Sequence, residues 1–258
     1  MALQTPMLRQ YAGIKAQYQD CILFYRLGDF YEMFFDDAKV ASKILDIALT
    51  SRNKGEAEPV PLCGIPYHSC EPYIAKLLEA GKKVAICEQL EEAQVGKGIV
   101  RREVVRVVTP GMVFDDAVLE GGRPNYLAAL CGEKEFGLAY LDISTAEFRA
   151  GSVASFETLL DELCKLDPKE ILIPTSWEGK FKTILERHFP QALLLTIKDA
   201  EFESVIPEGA VIPAKAGISD PRFHGDDKLH GLSELQPMAQ KSVGALYSYA
   251  CFHQKKEL

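Results

Sequence analysis

Phe30 and Glu32 stand two positions apart in the run Leu27-Gly28-Asp29-Phe30-Tyr31-Glu32-Met33-Phe34. In an extended chain alternate side chains share a face, so the ring and the carboxylate point the same way, about 6–7 Å apart along the strand. A ring so placed can wedge against a nucleic-acid base while the carboxylate hydrogen-bonds to the same nucleotide. The run also reads as an ordinary buried strand, with Phe30, Tyr31, Met33, Phe34 and Phe35 inside and Glu32 at its rim. Residue types alone favour that core reading, because aromatic side chains most often fill interiors.

Other side chains suggest further chemistry, each with a plainer alternative. Arg102 and Arg106 fall on one face of a strand expected over residues 99–109, together with Val104, while Arg101 falls opposite. They can meet phosphates, or form a solvated strand edge paired with Glu103. Arg52 and Lys54 lie in the polar stretch Ser51-Arg52-Asn53-Lys54-Gly55-Glu56-Ala57-Glu58-Pro59, read as an exposed loop, and are further candidates for nucleic-acid phosphates or simply for solubility. Tyr67 and His68 follow Gly64-Ile65-Pro66 in a turn-forming block, where they can touch a nucleic acid or pin the loop to the core, the second being favoured, and no serine or cysteine arrangement makes His68 a catalytic base. Cys63 and Cys70 flank His68 at a spacing that makes a poor metal site, so no metal is expected. Gly96-Lys97-Gly98 carries the lysine of a phosphate loop, but Glu91 occupies the first glycine position and Gly98 replaces the Ser or Thr.

Four blocks shift the balance between these readings. They are Phe24-Tyr25-Arg26-Leu27-Gly28-Asp29-Phe30-Tyr31-Glu32, Cys63-Gly64-Ile65-Pro66-Tyr67-His68, Val84-Ala85-Ile86-Cys87-Glu88-Gln89 and Val105-Arg106-Val107-Val108-Thr109-Pro110-Gly111. In this order they closely resemble the amino-terminal region of the MutS family of bacterial DNA mismatch-repair proteins, densely over residues 5–145 and more loosely beyond. The resemblance implies that Phe30 and Glu32, as the Phe and Glu of a Phe-x-Glu motif, contact the mispaired base, with Tyr31 in the variable position. It marks Arg106 as the best phosphate candidate. It also implies a second MutS subunit, a MutL partner engaged through the second domain, and an ATPase with magnesium in parts of the full-length protein not present in these residues. The fragment itself is expected to bind no ATP, to catalyse nothing and to bind DNA weakly when alone.

The chemistry follows from what a mismatch is. Unstacking a base step costs a few kcal/mol, and less where pairing is already faulty, so the ring of Phe30 would test deformability and not base identity. A carboxylate aimed at a polyanion is repelled, which helps discrimination if Glu32 finds a hydrogen-bond partner only on a displaced base. It would accept a hydrogen bond from that base, or donate one if burial raises its pKa.

Elements must hold these groups in place. Thr5-Pro6 caps a first helix with Met7, Leu8, Tyr11, Ile14 and Tyr18 in one stripe; strands over 21–27 and 31–35 flank a bend at Gly28-Asp29. Asp36-Asp37 opens a second helix whose Ala41, Ile44, Leu45 and Ala48 face inward, and Pro72 opens a third that Gly81 closes before a strand over 82–87. This alternation gives a compact, mixed-sheet α/β domain over 1–115, followed by a linker over 116–126. From 127 onward, strands over 127–130 and 137–143, a third at 147–149, a helix over 156–166, a strand over 170–173, a helix over 177–188 and a strand over 192–197 are expected. Hairpin strands followed by helix and strand pairs resemble the ribonuclease-H-like connector domain of the same family. Residues 198–235 hold three prolines and four glycines and are read as loop with one short helix. The final helical pattern, Met238 to Lys256, runs out without a stop signal and suggests that it leads to further domains.

Composition bounds the alternatives. The 258 residues suit two domains, and no apolar run approaches the roughly 18 residues that would cross a bilayer. Seven cysteines without a Cys-x-x-Cys pair read as reduced thiols, which together with an amino terminus unlike a signal peptide points to the cytoplasm. Residues 1–110 balance 14 Lys and Arg against 14 Asp and Glu, whereas residues 111–258 carry 15 against 23, so DNA contact is expected in the first part. The rival of a different class is a metal-dependent nuclease, as ribonuclease-H-like folds often host one. It would be built on Asp142 with Glu147, Asp161 and Glu162, whose spacing gives no recognisable signature.

Overall fold

Thr5 accepts a hydrogen bond from the Leu8 backbone N–H (3.3 Å) and Pro6 fills the first turn, so the chain enters helix α1 (Pro6–Lys15) as its sequence predicts. The computed structural model describes residues 5–52, 59–90, 99–113, 124–145, 147–203 and 235–253, and divides into two units between Thr109 and Pro110. The expected fold class, a mixed-sheet α/β domain followed by a second α/β domain, is what forms, and the second sheet is mixed as well.

In the first unit, β1 (Cys21–Leu27) turns at Gly28, whose φ of +60° suits glycine, into antiparallel β2 (Phe30–Phe34). Helix α2 (Phe35–Leu45), β3 (Thr50–Arg52), β4 (Val60–Pro66), α3 (Glu71–Glu79), β5 (Lys83–Gln89) and β6 (Arg102–Val108) follow. The sheet order is β3-β4-β2-β1-β5-β6, with β1 and β5 parallel and the other pairs antiparallel. Helix α1 covers one face, packing Leu8 and Tyr11 against Leu23, Tyr25, Phe34, Ala85 and Cys87. Helix α2 lies over the other, where Cys63 Sγ approaches Ala38 O (3.5 Å) and Met33 Sδ (4.0 Å).

Several local expectations change here. Phe35 leaves the strand and starts α2 with φ +55°, a conformation a bulky residue adopts only when its surroundings impose it. Tyr11 stacks on Phe35 (6.1 Å between centroids), and buried Asp37 accepts from Leu23 N and Tyr11 Oη (both 3.0 Å) and pairs with Lys15 (2.9 Å). Helix α2 stops at Leu45 because Asp46 turns left-handed (φ +54°), which leaves Ala48 exposed instead of inward. Ser51 and Arg52 belong to a strand and not to a loop, and the block expected to turn at Gly64 stays in β4 as far as Pro66.

In the second unit, β7 (Leu127–Gly132), β8 (Phe136–Asp142) and β9 (Glu147–Val153) form an antiparallel meander. Helix α4 (Phe156–Leu166), β10 (Glu170–Pro174), α5 (Lys182–His188), β11 (Leu193–Ile197), α6 (Asp199–Phe202) and α7 (Pro237–His253) complete it. The order β11-β10-β7-β8-β9, with β10 parallel to both β7 and β11, fits the ribonuclease-H-like arrangement expected. Leu159, Leu163, Trp177 and Leu185 pack on one face of the sheet, and Phe202, Val243, Leu246 and Tyr249 on the other. The helix expected from Trp177 starts only at Lys182, because the Trp177 indole donates to Gly132 O (2.9 Å) from a 3₁₀ turn, Thr175–Trp177.

The second unit begins earlier than the expected boundary at 115. Gly111 N donates to the fully buried Glu170 (2.9 Å) and Met112 joins the core. Asn125 and Tyr126, placed in the linker by sequence, belong to this unit as well: Asn125 Nδ2 donates to Pro110 O and Tyr126 O accepts from Lys169 N (both 2.9 Å). Residues 114–123, including the acidic and glycine-bearing passage expected as linker, lie outside the described residues, as do most of 198–235 and the end of the last helical pattern beyond 253.

Candidate nucleic-acid interface

Strand β2 changes character along its length. Phe30, Glu32 and Phe34 share the face of Tyr25, their partner row on β1, while Tyr31 and Met33 face the other way and are buried. On the shared face α1 covers only the far end, so Phe34 is wholly buried and Phe30 is 48% exposed. The core reading therefore holds for four of the five β2 positions to some degree and fails at Phe30, one of a few large apolar side chains left in solvent among the described residues.

Glu32 occupies the transition between these ends. Its neighbour across the strand pair is Gly64, which puts no side chain beside it. Arg52 on β3 reaches the same face and brings its guanidinium to 3.7 Å from Glu32 Oε2, too far for a hydrogen bond. Oε2 is buried and accepts no hydrogen bond. Burial pushes the Glu32 carboxyl above the usual carboxylate range, with Arg52 opposing that shift without cancelling it. The group is thus under-partnered, and a hydrogen-bonding base would satisfy it.

A polar frame holds the turn before the exposed ring. Tyr31 Oη donates to Glu88 on β5, and Arg26 on β1 pairs with the same carboxylate (3.4 Å), donates to Gly28 O and lies over the Tyr67 ring (3.2 Å to its centroid). Tyr67 N also donates to Asp29 O (3.0 Å). Tyr67 thus pins the turn, as expected, and His68 is exposed beside it. Glu88 has no role legible in the sequence, although it lies in one of the four family-like blocks; its two partners, 57 and 62 residues away, meet it only once the sheet forms.

The remaining candidates are distributed differently. Strand β6 carries a bulge, since Ile86 pairs with Arg106 and Cys87 with Val104, so Arg106 and Val104 face opposite ways, contrary to simple alternation. Arg106 then lies on an edge strand, on the face away from Phe30 and Glu32. Arg102 is buried over the Tyr25 ring (4.8 Å) and donates to Arg26 O, Gln10 and Val100 O, a structural placement. Lys54 and Gly96-Lys97-Gly98 lie outside the described residues. Among the candidate cations described, Arg52 is the one brought to Glu32.

Of the carboxylates expected for a nuclease, Asp142, Glu147 and Glu162 have other partners, and Asp161 is exposed. Asp142 is buried, with Oδ1 accepting from Ser144 N (2.9 Å) and Ser144 Oγ (2.7 Å) and Oδ2 from Asn125 N (3.0 Å). Glu147 accepts from Tyr126 Oη (2.9 Å) and pairs with Arg149 (3.0 Å), and Glu162 pairs with Lys165 (2.7 Å). Asp142 thus fixes the turn after β8 and Glu147 is held at the start of β9, while Glu162 makes an ion pair along helix α4. Among the described residues no three His, Cys, Asp or Glu side chains gather as a metal site, and no helix is long and apolar enough to cross a membrane.

Comparison with known proteins shows the family of the chain. Residues 5–117 match the family model described as MutS domain I, and residues 125–258 match MutS domain II. The DNA mismatch repair protein MutS of Syntrophobacter fumaroxidans is 55% identical over 193 residues, 73% of this chain and 22% of that protein. That of Desulfatibacillum aliphaticivorans is 41% identical over 256 residues, 98% of this chain and 28% of that protein. That of Staphylococcus epidermidis is 49% identical over 182 residues, 70% of this chain and 21% of that protein. The chain therefore spans about a quarter of the length of the curated relatives it matches.

Proposed function

The chain belongs to the MutS family, matching its domains I and II, and on that premise we propose that the first domain recognises mispaired or unpaired bases in duplex DNA, with Phe30 as wedge and Glu32 as hydrogen-bonding partner. The observation that carries this reading is the single face on which an exposed aromatic ring and an under-partnered carboxylate stand two residues apart on a rigid strand. The ring enters a base step that is already weakly stacked, and the carboxylate then meets the displaced base. Because burial favours its protonated form, Glu32 can donate a hydrogen bond to a base acceptor as well as accept one from a base N–H. On intact duplex the carboxyl finds no such partner, so it selects against normal pairs.

The second domain acts as connector, contacting the MutL partner, while a second MutS subunit supplies further DNA contacts and avidity. These roles, the DNA-dependent ATPase with its magnesium, and the cytoplasmic location belong to the full-length protein. The residues present do not fit ATP or magnesium: the pattern around the lysine at 97 has Glu91 where a phosphate loop has its first glycine and Gly98 where it has Ser or Thr, and both oxygens of Asp142 already accept hydrogen bonds. Nuclease activity is disfavoured on the same ground.

The test is binding of G·T and homoduplex DNA, at stated salt, by a full-length MutS carrying these domains and by its Glu32→Ala variant. Homoduplex binding is expected to rise while discrimination shrinks. Equal weakening on both DNAs would make Glu32 a structural residue and remove it from the mechanism.

A further inference from the structure

We infer that Arg52 is a conditional phosphate contact: it is held beside Glu32 when no mismatch is bound, and is released to the DNA backbone only when a mispaired base takes over the carboxylate. The inference rests on the wedge reading and goes beyond it by making one cation part of the discrimination. Arg52 and Glu32 lie two strands apart in the sheet, on the face that carries Phe30, and their side chains are 39% and 19% exposed. The 3.7 Å separation is a charge contact without a hydrogen bond, and Oε2 accepts none from any other group. Such a pair is weak enough to exchange, because the guanidinium gives up no directed bond on leaving and is already partly solvated.

Arg52 is also where it would be needed. It stands on an edge strand, so its long side chain can swing outward without disturbing a sheet partner. What keeps it on Glu32 is the carboxylate's lack of any alternative partner. A normal base pair offers none, so on homoduplex the pair persists and Arg52 neutralises Glu32 instead of a phosphate. A displaced base satisfies the carboxyl and leaves the guanidinium unpaired next to a polyanion. Mismatched DNA would then be bound with one more phosphate neutralised than intact DNA.

Salt dependence reads this directly, since each neutralised phosphate contributes about 0.9 to the slope of log affinity against log salt. Binding of G·T and homoduplex DNA is measured across a salt series for a full-length MutS carrying these domains, and for its Arg52→Gln and Arg52→Lys variants. The expected result is a G·T slope that Arg52→Gln lowers by about 0.9 while the homoduplex slope is unchanged, and that Arg52→Lys retains. A thermal melt of each variant that matches the wild type reports that the variant is folded. A slope lowered equally on both DNAs would make Arg52 an unconditional contact, and no change on either would make the pair a fixed structural one; both overturn the inference. If the wild type itself shows no preference for G·T, the wedge reading fails and this inference with it. A preference that survives alongside either overturning slope pattern removes this inference alone.

Discussion

Glu32 sits where its charge is poorly accommodated, and stability should record that. Burial raises its folded pKa, so the folded protein binds the proton more readily than the unfolded chain. The stability that the protonated carboxyl contributes is present below the ordinary carboxylate range and lost as pH rises through the raised folded value. Glu32→Gln, which is neutral throughout, should therefore raise the melting temperature near pH 7, with the gain vanishing below about pH 4. A Gln variant that melts lower near neutrality would mean that the Arg52 pairing outweighs burial. At this scale the strand parity of Phe30 and Glu32 was legible from spacing two, because the pleat fixes it locally. That Arg52 pairs with Glu32 was not, since it depends on β3, β4 and β2 lying side by side, a long-range arrangement that no local pattern encodes.

The elements that aim β2 depend on a few buried polar and close-packed positions. Asp37 accepts from both Leu23 N and Tyr11 Oη at the sharp entry into α2, so Asp37→Ala should destabilise the first unit by on the order of 3 kcal/mol in urea denaturation. A loss under about 1 kcal/mol would show that water replaces those bonds without penalty. In the second unit, a Cβ at Gly137 would lie 2.1 Å from Met238 O, whereas one at Gly179 would meet nothing within 4 Å. Gly137→Ala should cost about 1–3 kcal/mol or more by displacing α7, and Gly179→Ala little; equal effects would contradict the close helix approach. The helix starts at Thr5-Pro6 and near Pro72 and the turn at Gly28 were legible because capping and φ preferences act locally. The bulge that turns Arg106 away from Val104 was not, because an extra residue in an edge strand is set by its pairing with β5 and leaves no mark in the alternation of residues 102–108.

For the molecule as a whole, two α/β units with different charge balance divide the work. The first, electrically neutral in residues 1–110, carries the face proposed to read DNA, and the acidic remainder carries the ribonuclease-H-like sheet. That division was legible from charge and from strand-helix alternation. The start of the second unit was not, since Gly111 is drawn into it by Glu170, which lies 59 residues further on. With both Asp142 oxygens accepting hydrogen bonds, incubation of duplex DNA with the protein and magnesium should leave the DNA intact, and cleavage lost in Asp142→Asn would reverse that assignment. The central claim is that the exposed ring of Phe30 reads weak stacking, and the most direct measurement is the ratio of G·T to homoduplex affinity, at one stated salt, for a full-length MutS carrying these domains and for its Phe30→Ala variant. Ring stacking worth about 1–3 kcal/mol predicts that the ratio falls roughly 5- to 150-fold in the variant, toward equal binding of the two DNAs. A ratio unchanged by Phe30→Ala would contradict the account.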